Sequence, residues 1–306
     1  MEYYAKAGAT LQAFELDPED VLRFELSDGR VRTLQMLSAR AKIHETSLSR
    51  SEDRPLVPEF RGRTVVRMHC MLSLDGAALE LVRWVGSDRS FYEPWELGGL
   101  QLWFDAAQDL FEILSETHGS CRPRKRVRLA VQEAGRSIAP VLLHPWCPLP
   151  AGGITIQDCY DACDCWLGPY FGAEAHGGLD LNHPAGTPIW APVGFQEHEW
   201  FDRIDAGAKN NRWRGIRAWP DGSRWIMQVH HFYELCVDTA FPVEAGTLLA
   251  RGAGVSVGSH EHSHFEFAVV PAGAELSEAI LLDPWILFRQ MYRDRALASA
   301  QCQSLQ

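Results

Sequence analysis

The sequence predicts a mainly β protein in two parts, a β-sandwich-like N-terminal domain and a smaller antiparallel β domain closed by a short C-terminal helix. Three observations predict it. Short apolar runs of period two recur along the chain, bounded by Gly, Pro, Asp and Ser turn signals. The 306 residues are 46% hydrophobic and 23% charged, which suits two ordinary globular domains able to bury a core. The net charge of −11 is unevenly spread, with 21 acidic and 19 basic side chains in residues 1–150 against 19 and 10 in residues 151–306.

The elements follow in order. LQAFELDPEDVLRFELSDGRVRTLQML alternates apolar and polar residues between DPED and SDGR turns, and RTVVRMHCMLSLDGAALELVRWV repeats the pattern around an SLDGA turn. GGLQLWFDAAQDLFEILSE reads as a strand leading into a short helix, with Leu110, Phe111 and Leu114 on one face. RPRKRVRLAVQEA adds a strand, and its basic run at residues 122–128 reads as a solvated turn rather than a binding patch. HPWCPLPAGG, with three prolines and two glycines, reads as a linker. It divides an accessory domain (1–143) from a second domain (154–288), with the linker at 144–153 and a helix and tail at 289–306. In the second part, NRWRGIRAWPDGSRWIMQVHHFYELCV reads as a hairpin turning at Pro220, Asp221 and Gly222. DPWILFRQMYRDRALASA carries an Asp283 N-cap and Pro284 at the first helical position.

The acidic balance argues against nucleic acid or an anionic membrane surface as partner. No stretch approaches about 18 uncharged apolar residues, so no membrane span is expected. MEYYAKAGATLQAFELDPED has no apolar core of a signal peptide, so no leader is expected in the chain as given. Cysteine usage leaves the compartment open. Cys147, Cys159, Cys163 and Cys165 stand at spacings foreign to standard zinc sites and read as a disulfide or buried thiols. Asp158, Asp161 and Asp164 lack the glycine and distal glutamate of a calcium loop.

The chemistry concentrates in HEHSHFEF. In an extended strand, side chains two apart share a face, so His260, His262 and His264 project together. Three or four such ligands make a zinc site. The candidate source of further ligands is HGGLD, whose two glycines disfavour a helix and place His176 and Asp180 on a tight turn entering a strand.

Four motifs in order carry a resemblance. HGGLD (176–180), GTPIWAP (186–192), VHHFYELCV with its VEAG continuation (229–246) and HSHFEF (262–267) resemble the lysostaphin- and LytM-type zinc metallopeptidases, which are peptidoglycan endopeptidases. The resemblance spans about residues 150–285, and the first half carries none. It implies a small antiparallel β metallopeptidase domain with a groove and one zinc ion held by His176, Asp180 and His264. It implies His231 and His262 as catalytic residues, with His230 facing away, and a peptide or peptidoglycan substrate in the cell envelope or outside the cell. His262 is expected as base and His231 as the oxyanion or orienting group, the reverse remaining open. His183 and His260 are the candidate substrate-binding residues, although for His260 an exposed position at the strand's start is the plainer reading. Two departures bear on substrate choice: no arginine stands between Pro169 and His176, and QDCYDACDCW is foreign to the family. Beside the peptidase reading stand a binding module that kept the fold without turnover, and a zinc hydrolase of a non-wall substrate.

Overall fold

The computed structural model describes residues 1–49, 56, 62–202, 211–252, 255–257 and 260–304, with the backbone alone at 116–117, 201–202, 255–257, 260 and 301–304. The chain divides into two units: Met1–Ile138 with Cys163–Gly177, and Ala139–Ala162 with Gly178–Gln306. Among the described residues, no helix is long and apolar enough to cross a membrane.

The first unit is built of β1 (Glu2–Lys6), β2 (Gln12–Leu16), β3 (Val21–Glu25), β4 (Val31–Thr46), β5 (Thr64–Leu74), β6 (Ala77–Val85), β7 (Trp95–Leu97), β8 (Leu100–Ala107), β9 (Ser115–His118), β10 (Val127–Glu133), β11 (Pro169–Tyr170) and β12 (Glu174–His176), with the single-turn helix α1 (Leu110–Ile113). They form sheets of order β1-β3-β4-β5-β6, β2-β10-β8-β7 and β11-β12-β9. Leu22, Phe24, Leu34, Met36, Met68 and Leu72 of the first sheet and Leu102, Phe104, Leu129 and Val131 of the second are buried, the pattern expected of facing sheets that alternate inward apolar residues. The SLDGA turn joins β5 to β6 with Asp75 at φ 51 and Gly76 at φ 89, the left-handed pair that matches a hairpin's twist.

The basic run is not wholly solvated. Arg128 is buried on β10, its Nε donating to Asp105 Oδ2 at 2.5 Å and its Nη1 to the Cys121 carbonyl at 3.0 Å. Arg83, also buried, donates to the backbone carbonyl of Asp105. A buried charge needs a partner, and Asp105 supplies it to both arginines. Lys125 and Arg126 pair with Asp20 at 2.6 Å and Asp109 at 2.5 Å.

The second unit contains β13 (Leu179–Asn182), β14 (Pro188–Trp190), β15 (Glu197–Asp202), β16 (Asn211–Ala218), β17 (Arg224–Phe232), β18 (Glu234–Leu235), β19 (Leu248–Arg251), β20 (Val255–Val257), β21 (His260–Val270), β22 (Ile280–Leu282) and α2 (Trp285–Ser304). Its main sheet runs β13-β21-β17-β16-β15, with β20 and β22 also pairing with β21, and a small sheet runs β14-β19-β18. The expected hairpin is β16–β17, turned by Gly222 at φ 83 with Asp221 Oδ1 accepting from Ser223 N at 2.9 Å.

The division differs from the one expected at 144–153. Trp146 and Cys147 are buried, and Trp146 packs on Phe265 at 4.9 Å and Phe288 at 6.1 Å, so this stretch belongs to the second unit's core. The C-terminal helix starts at Trp285, with Asp283 Oδ1 accepting from the Trp285 amide at 2.8 Å. It is also part of that core: Ile286, Leu287, Phe288 and Met291 are buried, and Asp294 accepts from the Leu143 amide at 2.7 Å. Burial pushes the Cys147 thiol up to about 12.

Candidate metal centre

β21 lies between β13 and β17, and the register aligns Asp180, His264 and His230 in one row across the three strands. His262 is two residues before His264 on the same face, opposite Asn182. Asp180 uses both oxygens: Oδ1 lies 2.7 Å from His264 Nδ1 and Oδ2 3.4 Å from His262 Nε2. The other nitrogen of His264 lies 3.0 Å from Glu266 Oε1, and Gln228 Nε2 donates to Glu266 Oε2 at 2.5 Å. His264 therefore stands between two carboxylates. Burial opposes its charged form, but the charges and hydrogen bonds of Asp180 and Glu266 outweigh it and push the imidazole up to about 10. An imidazole and carboxylate donor set suits zinc.

His230 does not face away. Its ring stacks on His264 at 4.6 Å and 19°, while the ring of His231 lies 4.8 Å from that of His262. Consecutive residues of a regular strand point to opposite faces. Here Asn211 pairs with Phe232 and Arg212 with His230, which leaves His231 as the extra residue of a β-bulge, at φ 64. The bulge re-aims one side chain, so both imidazoles reach the same site. Both are held neutral. Burial carries His230 well below the ordinary imidazole range, and burial with the neighbouring His262 and His264 takes His231 to about 3.

The second glycine of HGGLD has a spatial reason. A Cβ on Gly178 would stand 2.3 Å from Cε1 and 2.4 Å from Nε2 of His264, so only glycine leaves room for that ring. His176 is wholly buried at the end of β12, in the first unit, four residues before Asp180 in the chain. It stacks with His118 at 5.5 Å and Tyr170 at 5.9 Å. His183 is tied into the strand network, its Nε2 lying 2.9 Å from Ser263 Oγ, and burial takes it to about 4. The backbone of His260 begins β21, and its side chain lies outside the described residues.

Three neighbours were not foreseen. Glu266 was legible in principle, being two residues after His264 on the same strand face. Gln228 follows from it as the facing residue on β17. Tyr160, whose ring lies 4.5 Å from that of His262, comes from a distant segment that carries no sequence signal.

The chain matches no family model and no curated protein sequence. Among solved structures, the catalytic domain of the antimicrobial peptidase lysostaphin from Staphylococcus simulans matches at 20% identity over 48% of this chain and 90% of that one, with a TM-score of 0.29. A putative peptidase from Pseudomonas aeruginosa matches at 17% identity over 88% and 93%, with a TM-score of 0.32. A zinc-containing peptidase from Vibrio cholerae matches at 10% identity over 84% and 82%, with a TM-score of 0.28. The chain resembles the lysostaphin-type peptidases. The lysostaphin-type motifs HGGLD and HSHFEF meet here as neighbouring strands β13 and β21, with VHHF entering from β17.

Proposed function

We propose that the chain is a zinc metalloendopeptidase that hydrolyses peptide bonds, in peptidoglycan cross-links or in glycine-rich peptides, at the centre just described. The observation that carries this reading is Asp180 set between His264 and His262, with the bulged His231 against His262. His176, Asp180 and His264 would hold one zinc ion. When bound, the metal supplies Lewis acidity, lowering the pKa of a water toward about 7 and polarising the scissile carbonyl.

The chain's own residues divide the remaining work. Glu266 Oε1, 3.0 Å from Nε2 of His264, fixes the ring plane, while Nδ1 of His264 and an oxygen of Asp180 face each other as the two atoms that would turn to the metal. His262 is 3% exposed, and its Nδ1 has no hydrogen-bond partner among the described residues, which leaves that nitrogen to take a proton from water and pass it to the leaving amine. His231, held neutral at pH 7, is a weak base but keeps one N–H, which suits donation to a developing oxyanion. The substrate class rests on the four-motif resemblance.

The test is zinc content by elemental mass spectrometry beside hydrolysis of purified sacculi and of oligoglycine. About one equivalent of zinc is expected in the wild type and little in His264→Ala. His262→Ala should keep zinc and lose turnover on both substrates; turnover retained in that variant would overturn the mechanism. Zinc bound by an unaltered chain that cleaves neither substrate would point to a binding module instead.

A further inference from the structure

His176 is placed by strands far from it in sequence. β12 pairs in parallel with β9, with His176 opposite His118, and the register slips between Ala175 and His176. At that slip the backbones approach closely. The Gly177 amide donates to the His118 carbonyl at 2.8 Å. A Cβ on Gly177 would stand 2.9 Å from that carbonyl oxygen and 3.1 Å from Cα of Gly119, itself at φ +90. The first glycine of HGGLD is thus required by β9, as the second is by His264.

The close approach lays three flat rings together. His118 and Tyr170 stack at 4.2 Å and 11°, His118 and His176 at 5.5 Å and 23°, and Tyr170 and His176 at 5.9 Å and 16°. Tyr170 is presented by a tight turn in which Phe171 has φ 50 and Gly172 φ 76. These separations fall close to the range in which offset stacking of rings is favourable, about 4.5–7 Å. The terminal torsion of a histidine is otherwise soft, so a ring confined by flat neighbours keeps one rotation.

We propose that His118 and Tyr170 are positioning residues for His176, fixing the rotation of its imidazole before a metal arrives. This rests on the reading of His176 as a zinc ligand. Groups that orient a ligand from behind contribute roughly 10–100-fold in metal affinity, because a ligand that must be ordered on binding binds less tightly.

The experiment compares the full chain with His118→Ala and His118→Phe, the second of which keeps a flat ring and removes both nitrogens. Two readouts are taken: the His176 Hε1 proton resonance in metal-free protein, identified by its loss in His176→Gln, and zinc affinity by competition with a chromogenic chelator. His118→Ala should move the resonance and weaken zinc roughly 10–100-fold, with His118→Phe recovering most of both. Wild-type values of both in His118→Ala overturn the proposal. A His118→Phe protein no better than His118→Ala also overturns it, by assigning the effect to a nitrogen. Should His118→Ala lose its fold, Tyr170→Leu against Tyr170→Phe makes the same comparison. A wild-type chain that takes up no zinc overturns the ligand reading itself and the positioning with it, whereas zinc-binding wild type with an unaffected His118→Ala sinks the positioning alone.

Discussion

Gly178→Ala tests the metal centre by adding a single methyl group. Nothing about the backbone forbids alanine there, since Gly178 is not among the residues at positive φ. The obstruction is the His264 ring, 2.3 Å from the new Cβ at Cε1 and 2.4 Å at Nε2, with the Phe265 carbonyl oxygen also 2.8 Å away. Carbon atoms settle at about 3.5–4.0 Å, so the ring must retreat by roughly 1 Å. Zinc–ligand distances tolerate about 0.2 Å, and a displacement several times larger removes His264 as a ligand. Zinc affinity should fall at least 10–100-fold, the range known for perturbing groups that merely orient a ligand. Crowding should also cost about 1–3 kcal/mol of folding stability. The assay is chelator competition for zinc, beside thermal melts of the metal-free protein. Gly152→Ala serves as control, because a Cβ there meets nothing within 4 Å. Zinc affinity within twofold of wild type in Gly178→Ala would refute the reasoning, showing either that His264 is not a ligand or that its ring does not rest on Gly178.

Three further outcomes are expected. Asp105→Asn keeps the shape but removes the carboxylate that both Arg83 and Arg128 face, and should cost about 3–5 kcal/mol in urea unfolding followed by tryptophan fluorescence; a loss below about 1 kcal/mol would show that Asp105 does not compensate them. For Asp20, burial would raise the carboxyl, but hydrogen bonds from Lys125, the terminal amine and the Asp17 amide more than offset it and lower it to about 2. A depressed folded value contributes stability above the unfolded value of about 3.9, and that stability is lost as pH falls toward 2. The stability gap between wild type and Asp20→Asn should therefore be full at pH 5 and shrink through that window; a gap constant from pH 5 to 2 would contradict it. His231→Gly relieves the left-handed backbone at φ 64 while His231→Val worsens it, so the valine variant should be less stable by about 1–3 kcal/mol, and both should keep zinc and lose turnover. Equal melting temperatures for the two would remove the bulge as the device that aims His231.

What the sequence determined is what local periodicity encodes. The period of two in HEHSHFEF put His262 and His264 on one face, and β21 keeps that alternation because its strand is regular there. The turns at SLDGA and at residues 220–222 followed from residues suited to positive φ, and the helix from its Asp-Pro start. The resemblance implied that His230 faces away, and that failed because a one-residue bulge at Asn211 and Arg212 cancels the alternation, and a bulge is decided by pairing with a partner strand. The basic run misled for a similar reason: nothing local to RKRVR says that Asp105 waits on the neighbouring strand to bury Arg128. The tight turn expected at HGGLD left both glycines without a spatial reason, since Gly177 is required by Gly119 and His118, and Gly178 by His264. Those partners are remote in sequence. Alternation and turns are properties of neighbouring residues and can be read from one strand at a time. Close approach, burial of charge and the convergence of ligands are properties of pairs brought together only when the sheets form.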